Sequence, residues 1–219
     1  METDIITQAE RLLKGLISIP SVSRNELEAA DYLQQAMVSY GLSTQRVGNN
    51  VFCLSANYDE SKPTILLNAH IDTVKPVAAW TKNPYEPTAE GGKLYGLGSN
   101  YDGGSLVSLL SVFRLLWQTK QDYNLVFLAS CEEEVSGKNG VELALKELPH
   151  IDVALVGEPT GMQPAIAEKG LMVLDVSTYG KAGHAARNEG VNAIYKAIED
   201  IQWFESYKFS KESPLLGAV

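Results

Sequence analysis

Thr64-Ile-Leu-Leu-Asn-Ala-His70-Ile-Asp72-Thr-Val74 is the stretch that decides the fold. Ile65, Leu66 and Leu67 read as a buried strand that stops at a histidine and an aspartate two positions apart. Side chains at i and i+2 of a strand leave the same face. His70 and Asp72 therefore converge at the strand's carboxyl end, where open α/β sheets place their chemistry. A histidine that binds a metal through one ring nitrogen needs a carboxylate or carbonyl on the other, and Asp72 or a neighbour supplies it. The alternative is a strand-end histidine satisfied by ordinary hydrogen bonds, and a single His-x-Asp leaves both open.

Upstream, Ile5, Ile6, Ala9, Leu12, Leu13, Leu16 and Ile17 make a helical stripe from Asp4 to about Ser18, ended by Pro20. Ser23-Arg-Asn-Glu26 has the form of a capping box for a second helix that stops at Gly41. Val51 to Ala56 reads as a strand, turning through Asn57–Pro63 into the deciding stretch. Downstream, Lys75 to Glu90 is irregular, and a short strand from Lys93 leads into the glycine-rich turn Gly96-Leu-Gly-Ser-Asn-Tyr-Asp-Gly-Gly104. The apolar run Ser105–Trp117 is too long for a strand and reads as a buried helix. Asn124–Ser130 is an apolar strand running into Glu132-Glu133-Glu134; a helix over Asn139–Leu148 and a strand over Asp152–Val156 follow, the latter ending at Gly157-Glu158. Strands alternating with helices imply an α/β fold, a parallel or mixed sheet with helices on both faces.

From Gly170 the pattern changes to one strand, a glycine-punctuated turn Gly180-Lys-Ala-Gly-His184 and an amphipathic helix over Val191–Phe204. These are expected to begin a second domain that stops part-built, giving boundaries at 1–168 and 169–219.

Composition excludes several classes. A formal net charge of −9 disfavours nucleic acid or an anionic membrane as partner and fits a soluble protein. The two cysteines, Cys53 and Cys131, lie in apolar runs and make neither a disulfide framework nor a metal knuckle. The first residues carry no basic segment before an apolar core, and no run approaches the length of a membrane helix, so a cytoplasmic location is expected.

Four strand ends carry hard or borderline ligands: His70 with Asp72, Asp102, Glu133 with Glu134, and Glu158. Imidazole and carboxylates are what a zinc-type dication takes where thiolates are absent. Three successive acids repel one another, and a bound cation would offset that; the alternative is a solvated helix N-terminus, where acids are favoured. Four such places in one sheet favour the metal. Dinucleotide and phosphate loops fail on spacing, because position 101 is Tyr and neither Gly137-Lys138 nor Gly180-Lys181 has the preceding glycine.

His70-Ile-Asp72, Gly96-Leu-Gly98-Ser, Glu133-Glu134, Gly157-Glu158-Pro-Thr and Gly183-His184-Ala-Ala occur in the order of the di-zinc deacylase and exopeptidase family, which the whole chain resembles. The resemblance implies a zinc-exopeptidase-like catalytic domain followed by the start of a small α+β lid or dimerisation domain. It implies two zinc ions, replaceable by cobalt, and a small N-acyl amino acid as substrate, most closely N-acetylornithine in arginine biosynthesis. By the same resemblance His70 and Glu158 would ligate one zinc, Glu134 the other, and Asp72 would orient His70. Glu133 would be the general base, and His184 would stabilise an oxyanion in a partner subunit's site, so a homodimer is expected. A dipeptidase or aminopeptidase on the same scaffold and a metal-poor, non-catalytic fragment are the alternatives. His150 matches nothing and is expected to be a surface loop residue.

Two departures from the family matter. The position of its bridging aspartate is Tyr101 here, with Asp102 one residue later; either the loop is re-registered and Asp102 bridges, or that ligand is lost. The family's last histidine ligand has no counterpart, since the histidines are His70, His150 and His184, so a C-terminally truncated chain of weak or no activity is expected.

Overall fold

The first element is the helix α1, Glu2–Ile17, whose stripe buries Leu12 and Ile17 and leaves Ile6 in solvent. This computed structural model describes residues 2–187 and 189–218. They fall into two compact units, Met1–Gly161 and Met162–Val219.

In the first unit, helix α2 spans Leu27–Ser39 and buries Ala29, Ala30, Leu33 and Met37. The capping box expected before it does not form. Ser23 donates instead to Asp72, and the Glu26 carboxylate accepts from Arg24 and Glu132. Long-range acceptors have outcompeted the local cap, because Glu26 is fully buried and its carboxylate needs several donors there. Beyond Gly41, strands β1 (Thr44–Val47) and β2 (Asn50–Leu54) form a hairpin through Gly48-Asn49, with Gly48 at φ +58 as such a tight turn requires. Strand β3 is Thr64–His70, and β4 (Thr88–Glu90) and β5 (Lys93–Tyr95) make a separate two-stranded hairpin. Helix α3 is Gly103–Leu116, β6 is Asn124–Ser130, α4 is the single turn Val141–Ala144, and β7 is Val153–Val156. The helix expected over Asn139–Leu148 thus shrinks to α4; beyond it Lys146 and Glu147 bond three residues back, in tighter turns.

The main sheet runs β1-β2-β6-β3-β7, with β6, β3 and β7 parallel and β1 and β2 antiparallel. It is the mixed sheet that the alternation of strands and helices implies. Period-two alternation splits β6 between two cores. Leu125, Phe127 and Ala129 pack with Leu33, Met37, Leu106, Leu110 and Phe113 of the helices, while Val126 and Leu128 pack with Phe52, Leu66, Ala144 and Leu148. At roughly 1.5–3 kcal/mol per fully buried large side chain, the two cores fix the positions of β3 and β6, and so of everything that leaves their ends. β7 is the outer strand, with Val153, Leu155 and Val156 more than half exposed.

In the second unit the strand expected from Gly170 to Thr178 does not form: among the described residues no ladder partner runs beside it, and a strand exists only through such exchange of backbone bonds. Its alternation survives in packing, since Met172, Leu174, Val176 and Thr178 line a groove with Ala197, Ile201 and Phe204. Those last residues belong to helix α5, Ala193–Ser206, capped by the Asn192 side chain on the Ile194 N–H at 2.9 Å. No described helix is long and apolar enough to cross a membrane.

Candidate metal centre

β6, β3 and β7 lie side by side and release the chain at one edge of the sheet, with His70 in register with Ser130 and Asn68 with Val156. Three loops therefore start together: Ile71-Asp72-Thr73, Cys131–Glu134 and Gly157-Glu158. The last approaches α3 so closely that a Cβ on Gly157 would lie 2.6 Å from the Ser105 Cβ. Glycine at that position lets the loop pass and carries Glu158 to the rim.

His70 is 3% exposed. Its Nδ1 lies 2.8 Å from the Asp72 carbonyl oxygen and 3.4 Å from Asp72 Oδ1, so the Nδ1–H donates there. Nε2, the other ring nitrogen, is buried and has no hydrogen-bond partner. It sits 3.8 Å from Glu133 Oε2, and donor atoms of His70, Glu133 and Glu158 all lie within 4.8 Å of one another. Burial works to lower the imidazole's pKa, but the Asp72 hydrogen bond and the charges of Asp72, Asp102 and Glu133 outweigh it and raise it to about 9. A site that draws a proton so strongly is one that would also draw a cation.

Asp72 organises the rim. Its Oδ2 accepts the Ser23 hydroxyl at 2.7 Å and the Glu134 N–H at 3.2 Å, while Oδ1 accepts the Glu133 N–H at 3.1 Å. Burial pushes this carboxyl up, yet the bonds from His70, Ser23 and the two amides hold it below the usual range.

Asp102 and Glu134 are nearby but stand outside the group of three. Asp102 is 1% exposed and spends Oδ2 on the His70 N–H at 3.1 Å, and its Oδ1 is buried without a partner. Burial raises its pKa, and the Ser105 hydroxyl, the His70 charge and the His70 amide only partly offset that. Glu134 and Glu158 are likewise raised, first by burial, and Glu134 Oε1 also lacks a partner. The Tyr101–Asp102 peptide is cis, and Tyr101 sets its ring edge against His70, with centroids 5.1 Å apart at 70°. Burial and the surrounding Glu133, Glu158, Glu134 and Asp102 push the Tyr101 phenol up to about 12.

His184 lies in the second unit, exposed, with Nδ1 accepting the Ala186 N–H at 3.2 Å. His150 is the exposed loop residue expected of it, 3.7 Å from Asp152. Ser23 and Glu26 were invisible as site residues in the sequence, where their spacing reads as a cap. In the sequence Tyr101 marks only a displaced position.

The donors fit a divalent cation: an unpartnered buried ring nitrogen faces two carboxylates, with its other nitrogen already fixed by Asp72. This arrangement at the sheet's rim is accompanied by a match of the family model described as Peptidase family M20/M25/M40 to residues 66–217. The chain belongs to that family. Within it, the chain is 31% identical over 197 residues to the acetylornithine deacetylase of Pectobacterium carotovorum subsp. carotovorum, an alignment covering 84% of this chain and 51% of that protein. It is 32% identical to the acetylornithine deacetylase of Shigella sonnei over the same shares. The chain spans about half the length of the curated relatives it matches. Solved structures with this fold include a tripeptidase of Staphylococcus aureus (TM-score 0.60, 21% identity, 90% of this chain and 56% of that one) and a dinuclear metal binding peptidase of Bacillus subtilis (TM-score 0.55, 16% identity, 71% and 43%).

Proposed function

We propose that this chain carries the metal-binding half-site of a hydrolase that removes the N-acyl group from an amino acid, with N-acetylornithine the first substrate to test. The observation that carries the reading is the buried, unpartnered His70 Nε2 beside Glu133 and Glu158. The names of the two curated relatives support the substrate class. His70 and Glu158 would hold a cation, zinc by the donor set or cobalt in its place. Bound there, a divalent cation would polarise the scissile carbonyl and make a water acidic. Glu133, 44% exposed on its side chain and fixed at its amide by Asp72, is placed to take a proton from an attacking water and pass it to the leaving amine. His184 is read as an oxyanion donor, and its role belongs to the assembled enzyme.

The test is release of free amine from N-acetylornithine by the purified chain with added zinc or cobalt, against a panel of dipeptides. Weak turnover of the acyl amino acid that disappears in His70→Ala is the expected result. Faster cleavage of dipeptides, or acyl hydrolysis indifferent to His70→Ala, would overturn the assignment.

A further inference from the structure

Among the described residues, His70, Glu133 and Glu158 are the single group that brings three donor atoms together. The remaining acids at this rim do not assemble a second one. Asp102 has turned one oxygen to the His70 amide, and the other oxygen, like Glu134 Oε1, is buried with no third donor beside it. Tyr101 stands in their midst, its ring set edge-on to His70 with centroids 5.1 Å apart and its hydroxyl within electrostatic reach of Glu133, Glu158, Glu134 and Asp102. A phenol differs from a carboxylate there in two ways. Its ring fills space, and it brings no negative charge to offset a second dication. What it offers the acids is one O–H donor, which eases their mutual repulsion without a metal.

We propose that this site takes one divalent cation, held by His70 and Glu158 and faced by Glu133, and that the Tyr101 phenol occupies the place of a second. The inference rests on the metal-hydrolase reading above and narrows it. It also sets this chain apart from the dinuclear metal binding relative of Bacillus subtilis.

The experiment is a stoichiometry. The chain is stripped with a chelator and titrated with cobalt(II) and with zinc by calorimetry. Cobalt absorption and elemental analysis after desalting give independent counts. One ion per chain is expected in the native protein and in Tyr101→Phe, none in His70→Ala, and two in Tyr101→Asp, with circular dichroism confirming that each variant folds. Two ions in the native chain would overturn the single-cation assignment and leave the metal-hydrolase reading standing, whereas none would overturn that reading itself. One ion in a folded Tyr101→Asp would remove Tyr101 from the explanation. Should that variant fail to fold, the native count still decides between one ion and two, and Tyr101→Asn, which clears the ring without adding charge, takes its place: a second ion there upholds the part given to Tyr101, and a single one removes it.

Discussion

Glu26 Oε1 accepts the backbone N–H of Glu132 at 3.2 Å, across 106 positions of sequence. Glu26 is fully buried, and it also takes the Arg24 N–H at 2.6 Å and the Asn49 amide at 3.1 Å. Glu132 in turn sits at φ +54 and binds Asn139 through its own carboxylate. The loop that aims Glu133 and Glu134 is thus held from behind by one acid and closed on itself by another.

Removing that brace should be costly. Glu26→Ala strands the buried Glu132 amide, at roughly 1–3 kcal/mol for an unsatisfied group, and takes the acceptor from the half-buried Arg24 amide as well. The expected result is a clear fall in the denaturant midpoint together with weaker cation binding at the rim. Glu26→Gln can keep its carbonyl oxygen under both of those amides, which share Oε1, and gives up only the acceptor of the Asn49 side chain, so it should lose less. An Ala variant as stable as the native chain would show that the brace carries no weight.

Ser23 and Asp72 form the second support. Ser23→Ala removes a buried 2.7 Å bond to a charged acceptor, worth about 1.5–3 kcal/mol. Asp72→Asn should cost more, since the Glu133 and Glu134 amides and the His70 ring all lose a charged partner. Calorimetric cation affinity should fall in the same order, Asn below Ala below native. The reverse order would contradict the role given to Asp72.

Both thiols should be inert in the native protein. Burial pushes Cys53 up to about 12, and burial with the charges of Glu26, Glu132 and Asp72 does the same for Cys131. A raised thiol pKa means less of the reactive thiolate, so raising the pH from 7 to 9 should leave native labelling by a disulfide reagent near zero. Two thiols should react at once in denaturant. Rapid labelling of the native chain at pH 8 would contradict the burial.

The contrast between β6 and β1 shows what the sequence could and could not tell. Asn124–Ser130 is buried along its whole length between two cores, and a continuous apolar run bounded by polar residues marks such a strand without help. Thr44–Val47 has no such mark: it is half-exposed and polar, and becomes a strand because Val51, Phe52 and Cys53 present a ladder to it. The same distinction runs through the site. His70, Glu133 and Glu158 were legible because each follows an apolar strand in the sequence, and parallel strands bring their ends together. Which acid faces the centre was not legible, because a loop's backbone, not its spacing, turned Asp102 toward the His70 amide and set Tyr101 beside the ring. Ser23 and Glu26 escaped notice because their partners lie 49 and 106 positions away, and a local pattern was ready to explain them.

Gly157 gives the sharpest test of how Glu158 reaches the rim. Its amide donates to the Asn68 carbonyl at 2.7 Å, extending the β3–β7 pairing one residue past the strand. An added methyl would lie 2.6 Å from Ser105 Cβ and 3.1 Å from Leu109 Cδ1, both on α3. Either the loop or the helix must yield, and the loop at the outer strand has less packed against it than a helix in the main core. Gly157→Ala should therefore fold, lose no more than about 1–3 kcal/mol to overpacking, and move Glu158 away from His70. Cation affinity should drop at least tenfold while the denaturant midpoint shows a chain that still folds cooperatively. Ser105→Gly removes the opposing carbon, at a helix cost of about 1 kcal/mol, and adding it should restore much of the affinity. A double variant that stays weak, or a single variant that binds as the native chain does, would place Glu158 outside the cation's coordination.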